Sequence, residues 1–371
     1  MQAQQNPALV NAQIRAALLA TAPRMRKNVG TFTASAVGQT TRVKLFNVGV
    51  LTHLQLLVSV PVTIGVNPAT ASPKGPWNAI SRIRLTDYDG TDRVNCSGFQ
   101  LYQVNSCRYR EPFGFNNSGA SAVITNPQQP LAVGNQTVQF LINVPVAYDP
   151  EQDLRGAILA QTAVGEMYLN IDWTSTLVSN GNDDALYNGA AGTTVVLNGN
   201  ISVQVWQHYL LPQAIGANGQ IPLPPLDLMT VYELMGSQIS TDNIAANTEK
   251  LFNYPNVRTV IGAYVSYTKS GTMLAGLGDT SQHRLIANGN NILRDESETT
   301  KYFNQRIYCH GDLVKGVFFL MHRDKPIETS IFGNVQMGIT PVNVGANSYF
   351  ESMFESFYTK GTTLPGLQQG T

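Results

Sequence analysis

Apolar positions along this chain follow two rhythms, and the short one dominates. From Thr31 onward, runs rich in Val, Ile, Leu, Thr and aromatic residues are bounded by Gly, Pro, Asn and Asp, the signature of strands. The pattern predicts strands at Arg42 to Phe46, Leu51 to Val60, Val62 to Val66, Ile80 to Asp87, Val138 to Val146, Glu166 to Val178 and Val195 to Gln207. A second series follows at Leu226 to Leu234, Val257 to Thr268, Arg284 to Ala287, Ile292 to Leu293, Val314 to His322, Val335 to Thr340 and Tyr349 to Tyr358. The most apolar run, Val50 to Val66, contains His53, Gln55, Ser59 and Pro61. Split by its proline, it is expected as two buried strands rather than a membrane span. The segment SNGNDDALYNGAAG, 179–192, is expected as an exposed loop carrying Tyr187 outward.

The helical period interrupts this series. Asn6 and Pro7 supply an N-cap and a favoured first helical residue, and Pro23 closes the segment. Between them Val10, Ile14, Ala17 and Leu18 share one face, opposite Asn11 and Arg15, in an amphipathic helix roughly 20 Å long. Arg24, Arg26 and Lys27 follow at once. Such a pairing suits an anionic lipid surface, or else a helix packed on its own domain or a neighbouring subunit. Ser97 is placed to cap a helix whose face carries Leu101, Val104 and Cys107 and which ends by Pro112. A counterpart is expected over Glu296 to Cys309, stopped by Gly311, with Asp295, Glu296 and Glu298 at the positive end of its dipole. Pro150 to Arg155 is expected to form one short helical turn.

These helices expose a repeat. Ile83 to Arg110 runs strand, polar turn, short extended return, helix, and RLIANGNNILRDESETTKYFNQRIYCHG repeats that order about two hundred residues later. Two copies of one domain are the simplest reading. The expected organisation is an N-terminal helix and basic arm (1–30), a first β domain (31–209), a proline-rich connector (210–225), a second β domain (226–359) and a polar tail (360–371). About eight strands per domain match jelly rolls better than immunoglobulin sandwiches; one large sandwich or a pair of lectin-like domains are the alternatives.

Composition sharpens this. Lys plus Arg equals Asp plus Glu at 24 each, and charged residues are only 13% of 371, which suits a β-rich protein that hides surface against partners. The balance conceals a segregation: no acid precedes Asp87, while that segment holds nine basic residues, leaving 15 basic against 24 acidic beyond it. An N-terminal region facing something anionic is one consequence; basic strands pairing with acidic neighbours is the other. Cys96, Cys107 and Cys309 form no CxxC and read as buried reduced thiols in a protein made in a reducing cytoplasm.

No catalytic chemistry is legible. His53, His208, His283, His310 and His322 are isolated in sequence, without the close histidine spacing and acidic partner of a jelly-roll metal site. There is no GxSxG elbow, phosphate loop or HExxH. The run Asp87 to Asp92, DYDGTD, lacks the length and terminal Glu of an EF-hand and reads as a turn. Trp77, Trp173 and Trp206 read as core. The expectation is a structural protein without enzymatic activity, cofactor or metal, whose function is assembly.

One resemblance is more specific. PWNAISRIRLTDYDGTDRVNCSGFQLYQVNSCR, IPLPPLDLMTVYEL and NYPNVRTVIGAYVSY resemble stretches of the major capsid proteins of PRD1-like, tectivirus-type tailless bacteriophages. Ile83, Asp87, Arg93, Asn95, Ser97 and Gly98 carry its most specific part. The resemblance implies an all-β double jelly roll: two tandem eight-stranded antiparallel barrels, a short helix in each, and an N-terminal amphipathic helix. It further implies a homotrimer that packs with neighbouring trimers into an icosahedral virion shell over an internal lipid membrane, with minor capsid and penton proteins as partners and no sequence-specific nucleic-acid binding. Val10, Ile14, Arg15, Leu18, Arg24, Arg26 and Lys27 are then the membrane-proximal residues. A receptor- or carbohydrate-binding spike is the alternative function.

Overall fold

The structure is a computed structural model that describes residues 16–108, 123–124, 130–162, 164–179, 183–212, 230–240, 244–270, 274–289, 291–308, 316–322 and 325–359. Its principal strands are β1 (Arg24–Ala34), β2 (Thr40–Lys44), β3 (Val50–Gly65), β4 (Ile80–Thr86), β5 (Asp92–Cys96), β6 (Gly134–Pro145), β7 (Tyr168–Trp173) and β8 (Ile201–Leu210). They continue as β9 (Thr230–Ser240), β10 (Lys250–Asn253), β11 (Thr259–Thr268), β12 (Thr280–Ala287), β13 (Asn291–Ser297), β14 (Val317–Met321), β15 (Val335–Pro341) and β16 (Tyr349–Thr359).

Within the first half, β1-β8-β3-β6 form one antiparallel sheet and β2-β7-β4-β5 the other. Adding eight to every label gives the second half: β9-β16-β11-β14 and β10-β15-β12-β13. Each half is a jelly roll of two four-stranded sheets, so the duplication expected from the strand-turn-helix repeat holds for the whole topology. The two helices, α1 (Gly98–Arg108) and α2 (Glu298–Tyr308), occupy matching places after β5 and β13.

The match extends to single side chains 200 positions apart. Ser97 Oγ accepts the Gln100 N–H at 3.1 Å while Gln100 Oε1 accepts the Ser97 N–H at 3.0 Å, a reciprocal capping box. Ser297 Oγ likewise accepts the Thr300 N–H at 3.3 Å. Asn105 brackets one residue of β6, donating to the Asn143 carbonyl at 2.9 Å and accepting its N–H at 3.2 Å. Gln305 does the same to β14, donating to the Val317 carbonyl at 3.1 Å and accepting the Phe319 N–H at 2.9 Å. Each helix is thereby stitched to the strand that follows it. Leu101, Val104 and Cys107 face the core as expected.

Several local expectations are corrected. Val50–Gly65 is one strand: the Pro61 carbonyl accepts the Asn198 N–H at 3.0 Å, and on that edge the neighbouring chain breaks between Leu197 and Ile201. The missing proline N–H faces the break, so no ladder bond is lost. The same break divides the expected Val195–Gln207 strand into 194–197 and β8. Strand structure begins at Arg24 rather than Thr31, which puts Arg24, Arg26 and Lys27 on β1 opposite Leu210, His208 and Gln207. Pro150–Arg155 forms a turn, not a helix, because Asp149 Oδ1 accepts the N–H groups of Glu151 and Gln152. Asp295 and Glu296 belong to β13, and the Glu298 carboxylate bends back to accept from Gly278 and Thr280 instead of serving the helix dipole.

Odd-numbered strands run one way in each barrel and even-numbered strands the other. Because β5 and β9 pair in parallel, both barrels have the same polarity. Residues 16–23 and the β4–β5 and β6–β7 connections therefore lie at the same end as the β10–β11, β12–β13 and β14–β15 connections of the second barrel.

Candidate assembly interface

Val94 and Asn95 of β5 pair with Leu234 and Met235 of β9, joining the two jelly rolls through one continuous sheet. Around this seam α1 leans on the second barrel: Gln100 Nε2 donates to the Ser352 carbonyl at 3.3 Å, and any side chain at Gly236 would strike Gln100 and Cys96. The second barrel's sheet is consequently buried on both faces. Val260, Ala263, Val265 and Tyr267 of β11 face its own core, while Ile261 and Tyr264 join the core of the first barrel. Burial on both faces is why VIGAYVSY reads as a continuous apolar run rather than an alternating one.

A buried polar cluster locks the seam. Lys74 Nζ, with a side chain only 5% exposed, donates to Asp184 Oδ1 at 2.5 Å, Tyr349 Oη at 2.9 Å and Glu351 Oε2 at 3.3 Å. Burial opposes its charge, but Glu351, Tyr349 and Asp184 together outweigh that and hold its pKa above the ordinary lysine value. Tyr349 Oη donates to Asp184 Oδ2 at 2.5 Å, and the Leu274 N–H donates to Asp183 Oδ2 at 2.7 Å. Asn78 Nδ2 fixes the backbone of Asp184 and Ala185 at 3.0 and 2.8 Å. Within 179–192, Asp183 to Tyr187 thus enter the seam, with Tyr187 1% exposed, while Ala190, Ala191 and Gly192 are exposed as expected. Sequence reasoning missed Lys74, Asp183, Asp184, Tyr349 and Glu351. The one available signal was a lone Lys between turn residues and Trp77 in ASPKGPW.

The residues carrying the family resemblance serve this same region. Asp87 accepts N–H bonds from Asp89 at 3.2 Å and Thr91 at 2.9 Å, closing the turn read from DYDGTD, and its Oδ2 accepts from Arg93 Nε at 2.6 Å in a buried ion pair. Asn95 Oδ1 accepts from Arg82 Nε at 2.8 Å.

At the shared end of the barrels, residues 16–21 are helical, and half-buried Leu18 and Leu19 rest on Ala22, Val50, Ala147, Leu154, Ala157, Leu159 and Leu210. Arg24 meets Glu151 at 3.1 Å in an exposed pair, Arg26 lies over half-buried Trp206 at 5.6 Å, and Lys27 lies over Phe46 at 3.7 Å. Val10, Ile14 and Arg15 lie outside the described residues. Trp77 and Trp173 are core, as expected; Trp206 is a platform for Arg26.

Among the described residues no group of three or more His, Cys, Asp or Glu is arranged to hold a metal ion. His53 and His208 stack at 4.2 Å across β3 and β8, His283 meets Thr280 Oγ1 at 3.0 Å, and His322 Nε2 meets Tyr254 Oη at 2.9 Å; His310 lies outside the described residues. Cys96 and Cys107 are free and buried, and burial pushes the Cys96 thiol up to about 12, which keeps it protonated; Cys309 is not among the described residues. Burial also pushes the Lys301 ammonium down to about 7, against the pull of Glu296 at 3.4 Å and with the push of Arg294. The described ones are packed scaffold on separate strands and helices.

Comparison with known proteins agrees with the geometry. Family models described as P3 major capsid protein N-terminal and P3 major capsid protein C-terminal match residues 9–211 and 229–368. The major capsid protein P3 of Enterobacteria phage PRD1 is 28% identical over 335 residues, 86% of this chain and 82% of that protein. Among solved structures, the STIV MCP, from Sulfolobus Turreted Icosahedral Virus, superposes with a TM-score of 0.67 at 11% identity, covering 93% of this chain and 100% of that one. The PBCV-1 virus capsid chain gives 0.56 at 10% identity over 91% and 94% of the two chains. The major capsid protein P2 of bacteriophage PM2 gives 0.51 at 9% identity over 90% and 97%.

Proposed function

Because the chain belongs to the P3 major capsid protein family, we propose that this capsid subunit works as a trimer of upright double barrels tiling an icosahedral shell over an internal lipid membrane. It is a structural component of the virion capsid shell and not an enzyme. The observation that carries the proposal is the parallel seam between β5 and β9, which stands both barrels side by side with matching ends. A brick of that form presents barrel flanks to other subunits and one end to whatever the shell encloses. Tyr187, expected to point outward from an exposed loop, is buried, and no observation favours the spike alternative.

The end bearing residues 16–23 is the lipid-facing one. Val10 and Ile14 supply apolar contact, Leu18 being engaged on the end of the barrel, and Arg15, Arg24, Arg26 and Lys27 supply positive charge, each basic residue near an anionic surface contributing about 1 kcal/mol. Exposed Val257, Ile331 and Phe332 lie at the same end of the second barrel and extend the apolar contact. Trimers meet neighbouring trimers along the flanks, and minor capsid and penton proteins complete the shell.

Native mass measurement and electron microscopy of the purified protein test the assembly: trimers and hexagonal sheets are expected, and a monomer at all concentrations overturns it. For the lipid contact, a variant lacking residues 1–20 spares β1 and should keep its oligomeric state while sedimenting less with anionic liposomes. Undiminished liposome binding removes the lipid-facing assignment.

A further inference from the structure

The repeat that relates the two barrels breaks at three neighbouring core positions. In the first barrel Cys96, Leu101 and Val104 are 3%, 0% and 0% exposed and belong to the apolar core around α1. Two hundred positions on, the same places hold Glu296, Lys301 and Asn304. Glu296 and Lys301 are buried all the same, at 7% and 2% exposed. Replacing an apolar set by a carboxylate, an amine and an amide costs stability unless the three groups answer one another.

The Glu296 carboxylate stands between the other two. Its Oε1 accepts from Asn304 Nδ2 at 2.6 Å, and its Oε2 lies 3.4 Å from Lys301 Nζ while accepting no hydrogen bond. Arg294 Nη2 and Nε also donate to Oε1, at 2.6 and 2.8 Å. Burial opposes ionisation of Glu296, but Lys301 and Arg294 outweigh it and lower its pKa, so the carboxylate is free to take a proton. Burial acts the other way on Lys301, bringing it down to about 7. Above neutrality its amine is therefore mostly unprotonated and nucleophilic. His283 of β12 and His322, just past β14, are the other titrating groups around Lys301, and both stay neutral there. Lys301 and Asn304 lie three apart on α2. That spacing brings Cβ atoms to about 5–6 Å and turns both side chains towards the N-terminal end, where Glu296 sits.

We propose that Lys301 and Asn304 condense into an isopeptide bond, with Glu296 as the catalytic carboxylate. Nζ of the neutral amine attacks Cγ of Asn304, and the new Nζ–Cγ bond replaces Cγ–Nδ2. The carboxylate takes the proton that Nζ sheds and passes it to Nδ2, which leaves as ammonia. No oxidant, reductant or co-reactant is consumed, and the step happens once per chain, so it is self-modification without turnover. The product removes a buried charge, staples the start of α2 and offers an amide N–H to the Glu296 oxygen that lacks a donor. Titration of Lys301 as a free amine belongs to the uncondensed chain.

Tryptic mapping of the full-length protein, purified and held at mildly alkaline pH, reads the bond directly. Trypsin cuts after Arg294, Lys301 and Arg306 but requires a free lysine ammonium. The condensed chain should yield one uncut 295–306 peptide lacking one ammonia. Separate 295–301 and 302–306 peptides at full mass overturn the proposal. A succinimide at Asn304 also sheds ammonia but leaves Lys301 cleavable, and finding it alone overturns the proposal too. Asn304→Asp should give the same uncut peptide lacking one water, because the carboxyl oxygen leaves instead of the amide nitrogen. An uncut peptide short of ammonia in Asn304→Ala puts the bond on another side chain and overturns the assignment. Glu296→Gln should lower the condensed fraction by about tenfold or more, the loss expected on removing a positioned acid and base. An unchanged fraction removes Glu296 from the step. The wild-type peptide decides the bond itself, whether or not a variant folds.

Discussion

Lys74 Nζ of the first barrel lies 2.9 Å from Tyr349 Oη of the second, and the two share Asp184 as an acceptor. A charge held in the seam, satisfied only by groups drawn from both barrels, couples their folding. Lys74→Met leaves Asp184, Tyr349 and Glu351 without their cation and should cost about 3 kcal/mol. Chemical denaturation followed by tryptophan fluorescence should show a lower midpoint; an unchanged midpoint would show that the cluster contributes nothing net. Adding Glu351→Gln to Lys74→Met should recover part of the loss.

The amide brackets at Asn105 and Gln305 each satisfy a buried strand N–H and carbonyl at once. Asn105→Leu should destabilise by about 2 kcal/mol, the cost of stranding buried backbone groups. Hydrogen exchange should rise at the Asn143 amide in that variant and at the Phe319 amide in Gln305→Leu, with each effect confined to its own barrel.

The capping box at the start of α1 predicts a smaller, local effect. Ser97→Ala should cost about 1 kcal/mol. Ser297→Ala, where the cap is longer and more exposed, should cost less. Thermal unfolding of the two variants side by side checks the order.

Acid should weaken the protein through its buried histidines. Burial, aided by His208 and Arg24 at His53, by Lys301 at His283, and by Lys301 and Arg294 at His322, lowers all three from 6.5 to about 3. Between those values the unfolded chain binds protons that the folded chain refuses, so stability falls as pH falls from about 6.5 towards 3. His322→Gln should take up about one proton fewer on unfolding near pH 5, read as a shallower dependence of the unfolding free energy on pH. Lys301 acts in the same sense higher up: between about 7 and 10.5 stability continues to rise with pH as the folded amine sheds its proton.

Particular residues show where sequence reading succeeded and where it stopped. Ser97 and the Leu101, Val104, Cys107 face were legible because capping and helical periodicity act within a few residues. The turn at Asp87 was legible for the same reason: its carboxylate binds N–H groups two and four positions on. Pro61 misled because the cost of a proline in a strand depends on whether that edge has a partner there, and the partner comes from Leu197–Ile201. Asp183, Asp184 and Tyr187 misled because small and polar residues suggest a loop tip, whereas their packing is imposed by a second barrel whose contacts, Leu274 and Tyr349, lie 91 and 165 positions away.

The sequence by itself determined the duplication, the β class, the two matched helices and the family, since these rest on local periodicity, caps, turns and a run of specific residues. Only the tertiary structure decided how the halves meet. The parallel pairing of Val94 with Leu234, the common polarity of the barrels and the Lys74 cluster all depend on residues remote in the chain. Hydrogen bonding between strands is set by backbone register and by what shields each edge from water, and neither quantity is written in the neighbourhood of a single residue.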